Sequence, residues 1–253
     1  METRTESSGS RLRLVGVCFG LAIGGMGLGI AVLVLAALLV FAPLGLTISP
    51  TASLVLSLVA IQGIAFPGTA LLYFRYTNRS LREFVPVAVP SLREIGITVS
   101  AWIGALVLVV IGANVVIQLV GTEPAGNAAA ETAADNPEFI PVLIVLVFLL
   151  NAPGEELLFR GVIQGLLRER FGPVGAIGLA TAAFAPIHIT ALIGSVEAAL
   201  VTITILSIPS IVFGAVYELT DNIAVPTLVH ALYNATLFAG LYAVSTGGVP
   251  TGG

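Results

Sequence analysis

Long apolar runs, separated by short polar clusters, set the pattern of this chain. The first covers about residues 14–43. Others fall near 52–74, 95–121, 139–158, 173–193, 197–217 and 223–244. Each approaches or exceeds the roughly 20 residues that a helix needs to cross a bilayer core. The pattern predicts an all-α fold, a polytopic transmembrane helical bundle of about seven spans. Pro67, Pro186 and Pro226 are expected to kink or start helices, and Pro209 interrupts the sixth run.

Residues 1–13 are polar and carry Arg4, Arg11 and Arg13, like the first part of a signal peptide. The run that follows is too long for a signal core, so it reads as an uncleaved first span. Arg75, Arg79, Arg82 and Arg93 fall between spans two and three, and Arg160, Arg168 and Arg170 between spans four and five. With seven spans, every Arg then lies on the side of the N-terminus. The positive-inside rule makes that side cytoplasmic, which points to a multi-pass protein of the cell membrane. Residues 1–13 are then a cytoplasmic segment and 14–121 a three-span N-terminal region. Residues 122–138 form an extracytoplasmic loop, Ala- and acid-rich without Arg, and read as mobile. Residues 139–244 hold the remaining spans, and 245–253 form a flexible tail.

Composition narrows the function classes. Charged residues make up 9% and hydrophobic residues 57%, with mean hydropathy +1.06, which excludes an ordinary soluble domain. A net charge of −4 gives no case for a nucleic-acid partner; the lipid bilayer is the implied surrounding. The single cysteine, Cys18, permits no intramolecular disulfide and no Cys-based metal cluster. Glycines in the run Gly24 to Gly29 suit close helix packing. No internal repeat supports a transporter built from inverted halves.

Against this background the polar residues inside the spans stand out. A charged side chain costs roughly 2.5–3.5 kcal/mol at a helix centre on insertion scales, so such groups mark function. Glu155, Glu156 and Arg160 close the fourth run. Glu156 and Arg160, four apart with the acid first, favour an ion pair on one face. Glu155 is rotated about 100° from Glu156 and is free to enter the bundle. One carboxylate held ionised by Arg160 beside another tuned by burial suits a general base for water. The plainer alternative is a helix end solvated at the interface. Phe184 and His188 also stand four apart; the His can orient water or shuttle a proton, with Phe184 shaping the substrate pocket, or it is a structural His bonded to a neighbour. His230 and Asn234 repeat the spacing and offer an imidazole and an amide donor, suited to an oxyanion or to interhelical glue. Together the set fits water-activated acyl cleavage. Glu155, His188 and His230 are also candidate ligands for Zn²⁺, although the one-helix HExxH motif is absent.

Three motifs in this order, Glu155-Glu156-Leu157-Leu158-Phe159-Arg160, Phe184 to His188, and His230 to Asn234, resemble the CPBP family of intramembrane proteases. That family includes type II CAAX prenyl endopeptidases and bacteriocin-processing and self-immunity proteins. The resemblance covers roughly residues 139–244 and does not reach the first three spans. It implies an endopeptidase acting on a membrane-associated or lipidated protein or peptide. Glu155 would activate water with help from His188, His230 and Asn234 would form an oxyanion hole, and Glu156 and Arg160 would support the site. It also implies either a zinc-dependent reaction or one in which the glutamate acts without a required cofactor; the donors at His230 and Asn234 favour the second. Competing readings are a non-catalytic membrane scaffold or bacteriocin self-immunity protein, and a small-solute or proton transporter using Glu and His as a relay.

Overall fold

The computed structural model describes residues 2–247, with side chains from residue 9 onward. Residues 248–253 of the expected tail lie outside the described residues. Seven helices are long and apolar enough to cross a membrane: Gly9–Phe41, Pro50–Tyr76, Leu92–Val120, Pro137–Arg168, Pro173–Ala191, Val196–Thr220 and Ala224–Ser245. They are numbered here as spans one to seven. Helices satisfy their own backbone groups where lipid offers no partner. Much of their outer surface is apolar and exposed, as at Leu38, Leu71, Val110, Val145 and Leu237. This is a multi-pass membrane protein.

Span four is the hub. It packs against spans one, two, five, six and seven, while span three lies outside it against spans six and seven. From Leu158 to Gln164 every residue of span four is buried, as expected of a helix surrounded on all sides. The sequence pattern ends this span near residue 158, because Glu155, Glu156 and Arg160 look like an interface. The helix instead continues to Arg168. The three charges therefore lie within the span and are not solvated at its end. Arg160 also leaves the set of loop arginines that fixes topology. In span six the helix runs without a break through Pro209.

The ends of the spans gather as alternating spans require. Arg79 reaches Glu169 at 2.6 Å and Arg168 reaches Glu218 at 2.8 Å, gathering the ends of spans two, four and six. At the opposite end Gly126–Asn127, after span three, pairs with Leu192–Ile193, after span five. Residues 122–138 are thus not a featureless loop. The Asn127 side chain accepts from the backbone N–H groups of Ala129 and Ala130 at 3.0 and 3.2 Å, capping the helix Ala128–Asp135. Alanine favours that helix intrinsically, and Ala133 anchors it in the interior.

Close approach is bought with glycine in two places. Of the run Gly24 to Gly29, Gly25 and Gly29 face neighbours: a Cβ on Gly29 would meet Ile61 at 2.6 Å, whereas Gly24 and Gly27 face open space. On span four, a Cβ on Gly154 would collide with the carbonyl of Gln62 in span two. Backbone cannot yield as a flexible side-chain tip can, so Gly154→Ala is expected to cost about 1–3 kcal/mol. Gly104→Ala, in open space on span three, should leave stability unchanged or raised. Thermal unfolding of both variants in detergent tests this, and equal melting temperatures would contradict it.

Candidate active site

The polar residues of spans four, five, six and seven converge inside the bundle. Glu155 and Glu156 occupy a single α-helical stretch, Ala152–Glu156, between two π-helical stretches, Val147–Asn151 and Leu157–Gln164. Pro153 lies in that stretch and brings no backbone N–H to the helix ladder. Wider π turns recur at functional sites.

Arg160 is 1% exposed and Glu156 fully buried. Arg160 Nη1 donates to Glu156 Oε1 at 2.9 Å. Its Nη2 donates to the Ser210 carbonyl at 3.1 Å and to Ser210 Oγ at 3.0 Å, and that hydroxyl donates onward to Thr181. The guanidinium lies 4.5 Å from the Phe184 ring centroid and 5.4 Å from that of Phe213. A desolvated cation gains from both a carboxylate and aromatic faces. Glu156 Oε1 also meets His230 Nδ1 at 2.8 Å, so one carboxylate oxygen joins Arg160 to span seven.

Glu155 has different neighbours. Its Oε1 accepts from Asn151 Nδ2 at 2.8 Å and from Gln62 Nε2 at 3.1 Å. Its Oε2 is buried, takes no hydrogen bond from the protein, and lies 3.8 Å from His230 Nε2. Two adjacent glutamates are thereby distinguished. Glu156 is paired with a cation, whereas Glu155 is oriented by neutral amides; the second oxygen of each is buried and takes no hydrogen bond from the protein.

Donor and acceptor rules fix the protonation pattern between them. Asn151 turns its Nδ2 to the Glu155 carboxylate, so its Oδ1 faces away and accepts from Asn234 Nδ2 at 2.9 Å. The same Asn234 nitrogen lies 3.0 Å from His230 Nε2. Both amide hydrogens of Asn234 are therefore engaged, and His230 Nε2 is an acceptor. The imidazole proton sits on Nδ1, facing Glu156. The sequence reading treats His230 and Asn234 as two free donors. In this arrangement neither is, because each already serves a carboxylate or its amide partner. The His230 ring is further held by stacking on Phe213, 4.8 Å between centroids and 19° between planes.

Phe184 and His188 lie beside this network. Phe184 is buried, edge-on to Phe159, His188 and His230 at centroid distances of 4.9, 4.7 and 6.4 Å. The residue is 4% exposed and its ring packs within the cluster. His188 is half-buried in the tighter turn Ala185–Ala191 that ends span five. Its Nδ1 donates to the Phe184 carbonyl at 3.2 Å. Sequence reasoning missed Asn151, Gln62, Ser210 and Thr181. The signal for Asn151 was available, since it stands four residues before Glu155.

The arrangement does not fit zinc. Catalytic zinc takes three protein ligands, and among the described residues no group of three or more His, Cys, Asp or Glu side chains is placed to hold a metal ion. Glu155 and His230 approach one another, but His188 does not complete a triad with them. Glu155 Oε1 is already taken by amides, and the Arg160 cation occupies the neighbouring carboxylate. An apolar groove of about 490 Å³ includes Pro153 and Leu157. These stand about 200° around the helix from Glu155, so the groove lies on the other face.

Comparison with known families agrees with the motifs. Residues 137–236 match the model described as type II CAAX prenyl endopeptidase Rce1-like. That stretch contains Glu155, Glu156, Arg160, His188, His230 and Asn234. No curated protein and no solved structure matches the chain. The match shows the resemblance to the CPBP family and supports a CAAX-type membrane protease in general terms.

Two outcomes follow from the geometry. Arg160→Met strands Glu156 as an unpaired buried charge and is expected to cost about 3–5 kcal/mol, whereas Ser210→Ala should cost about 1 kcal/mol; detergent unfolding curves measure both. Nitrogen-15 NMR of histidine-labelled protein should find His230 protonated at Nδ1 and bare at Nε2 in the resting state. The reverse tautomer would overturn the assigned network.

Proposed function

We propose that this relative of the type II CAAX prenyl endopeptidases is an intramembrane endopeptidase that hydrolyses a peptide bond of a membrane-associated or lipidated substrate, with Glu155 as the base that activates water. The environment of Glu155 carries the reading. One oxygen is fixed by two amide donors and the other is buried, unbonded and 3.8 Å from an imidazole acceptor. A carboxylate oriented in this way, with a free lone pair beside a second proton acceptor, is suited to taking a proton from water.

Charge accounting supports the same chemistry. With His230 neutral, the cluster holds two carboxylates against one guanidinium. Of the two carboxylates, Glu156 pairs with that guanidinium, while Glu155 is held by neutral amide donors. Water gives its proton to Glu155 Oε2 as its oxygen bonds to the carbonyl carbon, and the negative charge moves to the carbonyl oxygen. Passage of that proton to His230 Nε2 turns the nitrogen from acceptor to donor. It can no longer accept from Asn234, whose amide hydrogen is released. His230 and Asn234 then meet the oxyanion together, so the hole forms as the charge develops. Glu156 stabilises the imidazolium through Nδ1. The C–N bond breaks as the leaving nitrogen takes a proton back from the cluster. His188 Nε2 is a second proton carrier at the edge of the site. No metal is required for any of these steps, and the donor set around Glu155 favours a glutamate-dependent reaction.

Depth constrains the substrate. Glu155 lies thirteen residues before span four ends at Arg168, roughly 20 Å along the axis. With the Arg-rich end facing the cytoplasm, the scissile bond must enter the membrane; a peptide already anchored there reaches it with the smallest desolvation cost.

Purified wild type should cleave members of a library of membrane-anchored peptides, read by mass spectrometry. Glu155→Ala should insert and fold but cleave nothing, and Asn234→Ala should lower kcat by about 10²–10³-fold. Normal cleavage by Glu155→Ala would sink the mechanism. A wild type that turns over no peptide, with variants altered only in melting temperature, would favour the scaffold reading.

A further inference from the structure

The family match begins at residue 137, yet a side chain from span two touches the proposed base. We propose that Gln62 is a positioning residue for Glu155, so that the N-terminal half of the chain completes the active site. This inference rests on the role proposed for Glu155.

Three observations carry it. Gln62 Nε2 donates to Glu155 Oε1 at 3.1 Å across a sequence separation of 93 residues. Of the two donors to that oxygen, Asn151 comes from the same helix, one turn away, and fixes only the side chain's rotation against its own backbone. Gln62 comes from a different span and fixes the carboxylate within the bundle. Second, the approach of the two spans is built into the backbone. Gly154, the residue before Glu155, has no side chain where Gln62's own carbonyl passes, and Gly63 lies where a Cβ would meet Leu150 at 3.3 Å. Third, Gln62 lies in a π-helical stretch of span two, Leu58–Ala65, which packs on the π-helical stretch Val147–Asn151 and on Ala152–Glu156 of span four. Wider turns on both helices meet at the level of the carboxylate.

Gln62 Oε1 is buried and receives no hydrogen bond from the protein, as is Glu155 Oε2. Two orphan acceptors on hydrogen-bonded neighbours are met by the O–H groups of the attacking water or the N–H of a substrate peptide. Gln62 thus holds Glu155 with its donor and offers its acceptor to what Glu155 acts on.

The test pairs kinetics with a spectroscopic readout. Gln62→Met keeps the volume and removes the amide. Misplacing a catalytic group slightly can cost about 10²-fold, so kcat is expected to fall about 10- to 100-fold with KM changed less than about twofold. Should the Met variant not assemble, Gln62→Asn carries the same test, since its shorter amide does not reach. The chain has three glutamines, Gln62, Gln118 and Gln164, so nitrogen-15 labelling of glutamine resolves the Gln62 amide directly. Its resonance should move in Glu155→Ala, while those of Gln118 and Gln164 stay. An unmoved Gln62 resonance, or a loss confined to KM or to melting temperature, would overturn the proposal. A wild type that cleaves nothing would sink the peptidase reading instead, and the amide resonance would still decide whether Gln62 holds Glu155.

Discussion

The buried guanidinium of Arg160 is the constraint from which the rest of the bundle follows. A charge without water must be met by other groups, and the partners here come from three helices. Glu156 lies on its own span, Ser210 and Phe213 on span six, and Phe184 on span five. Glu156 then holds His230 on span seven. Burying such a pair contributes little net stability compared with well-packed apolar residues. What it supplies is register: few relative placements of spans four to seven satisfy all these contacts at once. The catalytic candidates are thus fixed by the interaction that also fixes the fold.

Span four is shaped for this task. Its two π-helical stretches flank the carboxylates, and Pro153 lies between them. Beyond Leu157 the turn is wider, and residues that ideal spacing would spread over a solvent face all point into protein. Arg160 and Gln164 are both among them. Gln164 donates to the Gly214 carbonyl and to Glu218, both at 3.0 Å, and Glu218 pairs with Arg168. The polar seam between spans four and six therefore runs from the buried ion pair to the exposed end of the bundle.

This explains what the sequence made legible. Seven apolar runs gave seven helices because length and hydropathy alone decide membrane spans. The i, i+4 spacings of Glu156 with Arg160 and of His230 with Asn234 gave real contacts, since a single helix determines them. The end of span four was misread because charged residues look the same at an interface and in a buried network; only partners on other helices tell them apart. Order in residues 122–138 was missed for a similar reason, because the Gly126–Asn127 ladder depends on a strand 66 residues later. Gln62 and Ser210 were illegible as site residues. Each is a small or neutral polar side chain in a largely apolar run, and its meaning lies in the helix it faces.

Direction within the hydrogen-bond chain adds what distances alone do not. Asn151 donates to Glu155 and accepts from Asn234, Asn234 also donates to His230, and the imidazole donates to Glu156. Every link is fixed by the two carboxylates at its ends, because a carboxylate only accepts. The donors thus run outward from Asn234 to both carboxylates, and Glu155 Oε2 and His230 Nε2 face each other at 3.8 Å as two acceptors. Two acceptors so close repel unless a hydrogen lies between or beside them. A donor from outside the protein, such as a water O–H, would satisfy both acceptors, and helix packing alone does not supply one there.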